Sequence, residues 1–288
     1  MNQENAIGII GGSGLSQFPD LREATEITLD TPFGPPSDAI IGGILHDRPV
    51  YFLPRHARNH RIAPHEINHR ANIYALRSLG VRWLLSVAAV GSLQEAYPPR
   101  DVVLVDQFFD RMSTRANHTF FGNGIVAHVA FADPICPQLH QILVETARET
   151  PIRFHERGTY VNMDGPAFST RAESETYRKL GFDVIGMTNL PEAKLAREAE
   201  ISFATLAFIT DYDCWKHHEA PVTTTAVLAH LKANTETARQ LISQVIPRIP
   251  LIADWPTHHA LDHALITPRS AWPTETVQNL SRILERFV

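Results

Sequence analysis

Thr210-Asp211-Tyr212-Asp213-Cys214-Trp215 follows a largely apolar run, Ile201 to Ile209. Two carboxylates stand two residues apart where a core strand is expected to end. A buried carboxylate needs a partner or must take up a proton. At the mouth of an α/β sheet, such a pair suits an acid or a reader of a ligand's hydrogen-bonding edge. Arg55-His56-Ala57-Arg58-Asn59-His60 follows another apolar stretch. Its cations and donors suit a phosphate clamp, because guanidinium grips two oxygens at once; a solvated loop is the alternative. Gly11-Gly12-Ser13-Gly14 offers several backbone N–H groups and a hydroxyl after a strand, which also suits an anion. It is neither a P-loop nor a dinucleotide fingerprint, since no lysine follows and the spacing differs; a plain tight turn is the alternative.

Three further segments carry weaker chemistry. His65-Glu66-Ile67-Asn68-His69 spells HExxH, which on one helix face would suit zinc hydrolysis. A five-residue pattern arises easily by chance in a chain with fifteen histidines, and no metal is expected. In Gly165 to Glu173, Phe168 suits stacking on a planar ring and Ser169 suits hydrogen bonding to it. In Gly186 to Glu192, Thr188 near a helix start suits phosphate. The plain readings are an ordinary cap, a core phenylalanine and a simple turn.

The elements that must position these groups alternate along the chain. Strands are expected at Ala6–Ile10, Val50–Leu53, Trp83–Val90, Asp101–Val105, Gly158–Met163, Asp183–Met187 and Ile201–Ile209. Helices are expected over Pro64–Leu79, around Leu139 to Ala147, from the Thr170–Glu173 capping box, and over Pro191–Ala199, Ala226–Val245 and Glu275–Phe287. Pro247 to Pro273 reads as irregular. Alternation of this kind implies an α/β fold with both sheet faces covered. No linker or repeat divides the chain, so residues 1–288 read as one domain.

Composition narrows the function classes. The chain has 288 residues, 44% apolar and 20% charged, and a net charge of −5. No long basic run is present, which disfavours non-specific binding to nucleic acid or anionic membrane. Two cysteines without a CxxC pair fit a reducing cytoplasm. The first residues lack the basic start and apolar core of a signal peptide. No apolar stretch reaches spanning length.

Taken in order, these segments resemble the methylthioadenosine phosphorylases, the trimeric branch of the purine nucleoside phosphorylase superfamily. The matching pieces are Ile9–Leu15, Thr31–Gly34, Pro54–His56, Asn72–Leu76, Gly91–Leu93, Asp106–Phe108, Gly165–Glu173, Met187-Thr188, Pro191-Glu192 and Thr210–Trp215. They are collinear and cover about residues 6 to 245; the irregular segment and helix of 247–288 lie outside. The resemblance implies a purine nucleoside phosphorylase-like fold, a central mixed and partly barrel-like sheet with helices on both faces. It implies attack of inorganic phosphate on C1′ of a 5′-methylthionucleoside, with adenine leaving and no cofactor.

Position by position, the resemblance assigns Ser13, Arg55, His56, Ala88 and Thr188 to phosphate. It assigns His60 and Met187 to the ribose, and Ala89, Phe168, Ser169, Asp211 and Asp213 to the base. Thr224, Val227 and Leu228 would line the apolar 5′ group. His128 would reach the neighbouring site of a homotrimer. Adenine offers N7 as acceptor and its amino group as donor, so a protonated Asp211 would serve as the general acid at N7. That role needs a raised pKa, which burial beside a second carboxylate would provide. Three departures stand out: Ala88 replaces a common Thr, Ala167 a common Arg, and Asn189 a second Thr. Two other readings remain open, a 6-oxopurine or methylthioinosine phosphorylase and a non-catalytic nucleoside binder. The Asp211 and Ser169 pair argues against the first, and Ala88 is what would favour the second.

Overall fold

The computed structural model describes residues 5–113, 117–216 and 224–288; the side chains of residues 13, 224–229, 231 and 232 lie outside that description. Its strands are β1 (Ala6–Gly11), β2 (Arg22–Ile27), β3 (Ile40–Leu45), β4 (Arg48–Pro54), β5 (Val81–Ser92), β6 (Val102–Val105), β7 (Gln107–Asp110), β8 (Phe154–His155), β9 (Thr159–Asn162), β10 (Val184–Gly186) and β11 (Ser202–Asp211). Its helices are α1 (His69–Ser78), α2 (Pro137–Glu149), α3 (Arg171–Lys179), α4 (Asn189–Glu198), α5 (Thr224–Val245) and α6 (Thr274–Asn279).

All the strands join one mixed sheet that branches at β5. One side runs β2-β3-β4-β1-β5 and continues through β10, β9 and β7; the other runs from β5 through β11 and β6 to β8. The expected partly barrel-like form is corrected to an open sheet, because the arms diverging from β5 end on β7 and β8, which do not pair with each other. The parallel strands β1, β4, β5 and β11 form its centre. Nearly every residue of β1 and β11 is buried, as expected for parallel strands covered on both faces. Helices α1 and α4 pack on each other beside β5 and β11, and α2 packs on α5 beside β11.

One irregularity makes room for a site. Strand β5 pairs with β1 only as far as Ile10↔Ser86, and β10 joins that edge only at Ile185↔Gly91. Its other edge stays paired with β11 from Trp83 to Gly91. The stretch between Ser86 and Gly91 therefore has one edge without a strand neighbour.

Three expectations needed correction. The helix expected over Pro64–Leu79 is a 3-10 turn at Pro64–Glu66 followed by α1, with Asn68 capping Ala71 N–H. The last helix stops at Asn279, after six residues. Strands β2, β3, β7 and β8 were not expected at all. Almost all of β2 is exposed and polar, so it shows no apolar alternation. The β3–β4 hairpin turns at His46 and Asp47, both at positive φ (50° and 58°), without the Asn-Gly signal that usually marks such turns.

The C-terminal segment is docked onto the sheet. His258 is buried against the Ser202 hydroxyl at 2.9 Å and stacks on Trp255. Arg286 donates to both oxygens of buried Glu200, at 2.9 and 2.6 Å.

Candidate active site

A cavity of about 610 Å³ lies at the carboxyl ends of β1, β4 and β11, over the free stretch of β5. Ligands of open α/β sheets characteristically bind at such ends. The cavity brings together Arg55, His56, His60, Ala88, Ala89, Phe168, Met187, Thr188, Asp211 and Asp213, which are scattered over more than 150 positions in the chain.

Arg55 ends β4 and is buried. Its Nε and Nη2 donate to Glu192 at 2.5 and 2.9 Å, Nη2 also to Ser86 at 2.7 Å, and Nη1 to the Val87 carbonyl at 2.9 Å. Of the five N–H groups of a guanidinium, one on Nη1 is left for a ligand. Burial works against the charge, but the Glu192 carboxylate outweighs it, so Arg55 is held as a cation. Ser86 donates to Glu192 at 2.6 Å and accepts from Asn189 at 2.7 Å, completing a buried polar network. Pro191-Glu192 reads in the sequence only as a helix start. That Glu192 meets a guanidinium 137 positions earlier emerges from the fold.

Next to it, His56 donates Nδ1–H to the Ile62 carbonyl at 2.8 Å and stacks on His60 with ring centroids 4.2 Å apart. Burial, then the Arg55 charge, lowers its pKa to about 4, so the ring is neutral at pH 7. Thr188 is buried as the N-cap residue of α4, whose dipole favours an anion, although Asn162 Oδ1 takes the Leu190 N–H at 3.0 Å and Pro191 has none to offer. Ala88 presents a buried methyl group, while Ala89 is exposed on the cavity side. Backbone groups of a strand alternate in direction, so Ala89 N–H points the same way as the Val87 carbonyl that Arg55 grips. It is a donor on the free edge of β5. Ser13 lies in the 3-10 turn Ser13–Ser16; its side chain is outside the described residues.

Across the cavity, β11 carries an extra residue. Ile209 faces Val90 and Asp211 faces Gly91, which leaves Thr210 as a bulge. A bulge re-aims the side chains beside it. Asp211 accepts from the Thr210 hydroxyl at 2.7 Å and from Asp213 N–H at 2.8 Å. Gly91 leaves the space that both carboxylates need: a Cβ there would lie 3.1 Å from Asp211 Oδ1 and 3.3 Å from Asp213 Cβ. Burial, with the Asp211 charge adding to it, pushes Asp213 above the usual carboxylate range. Among the described residues, Asp213 Oδ2 has no hydrogen-bond partner. Phe168 stands 54% exposed at the rim, an aromatic face open to a ligand. Ser169 is not on the cavity wall; its hydroxyl turns to Met163 sulfur at 3.7 Å, and Met163 takes the wall position.

Two expected groups lie elsewhere. His128 is exposed and away from the cavity, with its backbone N–H on the Ala264 carbonyl. Thr224, Val227 and Leu228 belong to α5, but their side chains are outside the described residues. The HExxH pattern does not form one helical face. His65 is exposed in the 3-10 turn, His69 is buried in α1, and Glu66 caps Ala63 N–H. The sequence alone does not mark Asn234 and Thr235 of α5, nor Arg61 to Pro64 and Glu66, for this site; all are on the cavity wall. Nothing in their local pattern separates them from ordinary helix and loop positions.

A family model described as the phosphorylase superfamily matches residues 6–247. The chain is 51% identical over 286 residues to the S-methyl-5′-thioadenosine phosphorylase of Gloeobacter violaceus, covering 98% of this chain and 95% of that protein. It is 47% identical to the protein of the same name from Geobacter sulfurreducens, covering 99% of this chain and all of that one. Its structure is similar to a methylthioadenosine phosphorylase from an Antarctic soil metagenomic library, with TM-score 0.92, 47% identity and coverage of 97% and 99%. It is also similar to the Schistosoma mansoni methylthioadenosine phosphorylase solved with adenine, with TM-score 0.81, 33% identity and coverage of 97% and 98%.

Proposed function

The chain belongs to the phosphorylase superfamily, and we propose that it cleaves S-methyl-5′-thioadenosine by phosphorolysis. The observation that carries this reading is the pairing of two unlike subsites in one cavity. Asp211 and Asp213 stand on one side, and Arg55, His56 and Thr188 on the other. The names of relatives about half identical over nearly the whole chain support it.

In this reading, phosphate is held by the Ser13 turn, the free Nη1–H of Arg55 and Thr188. His56, whose one ring proton is on the Ile62 carbonyl, accepts at Nε2 from a P–OH of the phosphate. Ala89, assigned to the base by the resemblance, is reassigned to phosphate because its N–H lies on the free edge beside the Val87 carbonyl that Arg55 grips. Met187 and His60 contact the ribose. A phosphate oxygen forms a bond to C1′ as the C1′–N9 bond breaks, and the bonding electrons leave with adenine. Asp211 delivers to N7 a proton held by the carboxylate pair it forms with Asp213, and this neutralises that charge. Within the pair, burial and then the Asp211 charge strengthen the hold of Asp213 on a proton. Asp213 Oδ2 takes a hydrogen bond at the same edge of the base, and Phe168 stacks on the ring. Ala88 sits where a hydroxyl would add a phosphate contact. Thr224, Val227 and Leu228 are assigned to the methylthio group on the resemblance alone. Inorganic phosphate is a co-substrate, and no cofactor takes part.

The assembly we propose is a homotrimer in which His128 completes the adjacent site; its exposure away from its own cavity supports this. A cytoplasmic setting fits the free thiols of Cys136 and Cys214. The test incubates the protein with methylthioadenosine across a range of phosphate concentrations and measures adenine. Phosphate-dependent release is expected, with the hypoxanthine analogue turned over far more slowly. No release at any phosphate concentration overturns the reading, and preference for the hypoxanthine analogue overturns the base assignment.

A further inference from the structure

The glycine turn that begins the proposed phosphate site is anchored at its flanks, by Arg55 N–H on the Gly11 carbonyl at 2.9 Å and by the buried Leu15 side chain, but its middle, Gly12 to Gly14, has little of its own to hold it. Gly12, at the start of the 3-10 turn Ser13–Ser16, supplies no side-chain cap, and a Cβ on it would meet nothing within 4 Å. Its internal closure is Leu15 N–H on the Gly12 carbonyl at 3.1 Å. Glycines lose the most backbone freedom on ordering, so such a turn is expensive to keep in one shape.

Order is supplied from outside, by α5. Arg239 donates from Nε and Nη2 to the single carbonyl oxygen of Gly14, at 3.0 and 2.6 Å. Nη2 also reaches Gln17 Oε1, just past the turn, at 3.4 Å. Nη1 is held by Glu236 Oε2 at 3.0 Å, one helical turn back. Two charge-assisted donors on one carbonyl fix both its position and its direction. Thr235 of the same helix packs beside Arg239, with its methyl 3.3 Å from where a Gly14 Cβ would lie. Asn234 donates to the Ile209 carbonyl at 3.1 Å, two residues before Asp211. One helix therefore ties the glycine turn to the strand end that bears the base reader.

We propose that Arg239 is a positioning residue, which holds the glycine turn at a set distance from Asp211 and so governs phosphate binding. It does not line the cavity and so acts through the turn. The inference rests on reading the glycine turn as part of a phosphate site. The test compares wild type with Arg239→Gln and Arg239→Lys by steady-state kinetics and by calorimetric titration with inorganic phosphate. Arg239→Gln is expected to raise the KM and Kd for phosphate about tenfold, with the KM for methylthioadenosine within about twofold. Arg239→Lys, which returns a charged donor without the fork, is expected to recover part of the loss. An unchanged phosphate affinity, or an equal rise in both KM values, overturns the proposal, as does wild-type protein that binds no phosphate. Wild type that binds phosphate but releases no adenine overturns the phosphorylase reading instead, and the titration then decides Arg239 by itself.

Discussion

Asp211 is oriented before any ligand arrives, because the Thr210 hydroxyl and Asp213 N–H each hold one of its oxygens. Asparagine at this position keeps the shape but has no acidic proton to give. Asp211→Asn should therefore lower kcat for adenine release by about a hundredfold or more while KM changes little. Its relative rate on hypoxanthine nucleosides should rise. Unchanged rate and selectivity in a side-by-side assay would remove Asp211 from the acid role. Ala88 makes the opposite test, since its methyl meets the cavity where a hydroxyl would offer a donor. Ala88→Thr is expected to lower the phosphate KM about threefold to tenfold. A KM that stays level or rises would take position 88 off the phosphate wall.

At the level of elements, the site depends on how strands end. Strand β5 runs on past β1, which leaves its edge free, and the Thr210 bulge turns Asp211 toward that gap. Gly91 is what lets the two meet. Gly91→Ala places a methyl 3.1 Å from Asp211 Oδ1, so the carboxylate must move by a few tenths of an ångström. We expect kcat to fall about tenfold or more, because small misplacements of catalytic groups are costly. Wild-type kcat in a folded Gly91→Ala protein would count against the bulge geometry. The helices were legible in outline from apolar spacing and caps; the Thr170–Glu173 capping box opens α3 as read. The break at Ile67-Asn68 was not, because the side chain of Asn68 caps α1 in the middle of a pattern that continues with helical spacing. Nor was β2, whose exposed face carries no hydrophobic signal.

For the whole molecule, buried histidines link folding to pH. Burial, then the Arg82 charge, lowers the pKa of His258 to about 4 from 6.5, and His56 is lowered to about 4 as well. Between those values the unfolded chain takes up protons that the folded chain refuses, so stability is full above about pH 6.5 and falls as pH drops toward 4. Glu198 acts in the opposite sense. Burial raises its pKa to about 7, so the folded state keeps that proton over a range where the unfolded chain has lost it. The His258 share can be isolated by variant. The fall in Tm from pH 7 to pH 5 should be smaller in His258→Asn than in wild type. An equal fall in both would mean that His258 titrates normally in the folded protein.

The residues themselves determined the chemistry on offer: a carboxylate pair after an apolar run, a cationic cluster after another, a glycine turn, and an alternation that implies an α/β sheet. These features are local, because backbone period, turn preference and side-chain charge are written within a few positions. Only the tertiary structure decided which groups share a cavity. Glu192 answers Arg55, Arg239 grips Gly14, and the ends of β5 and β11 leave room at Gly91. Those relations join segments far apart in the chain. Their distances depend on strand order, on one bulge and on where a neighbouring strand stops, none of which leaves a periodic trace in the residues.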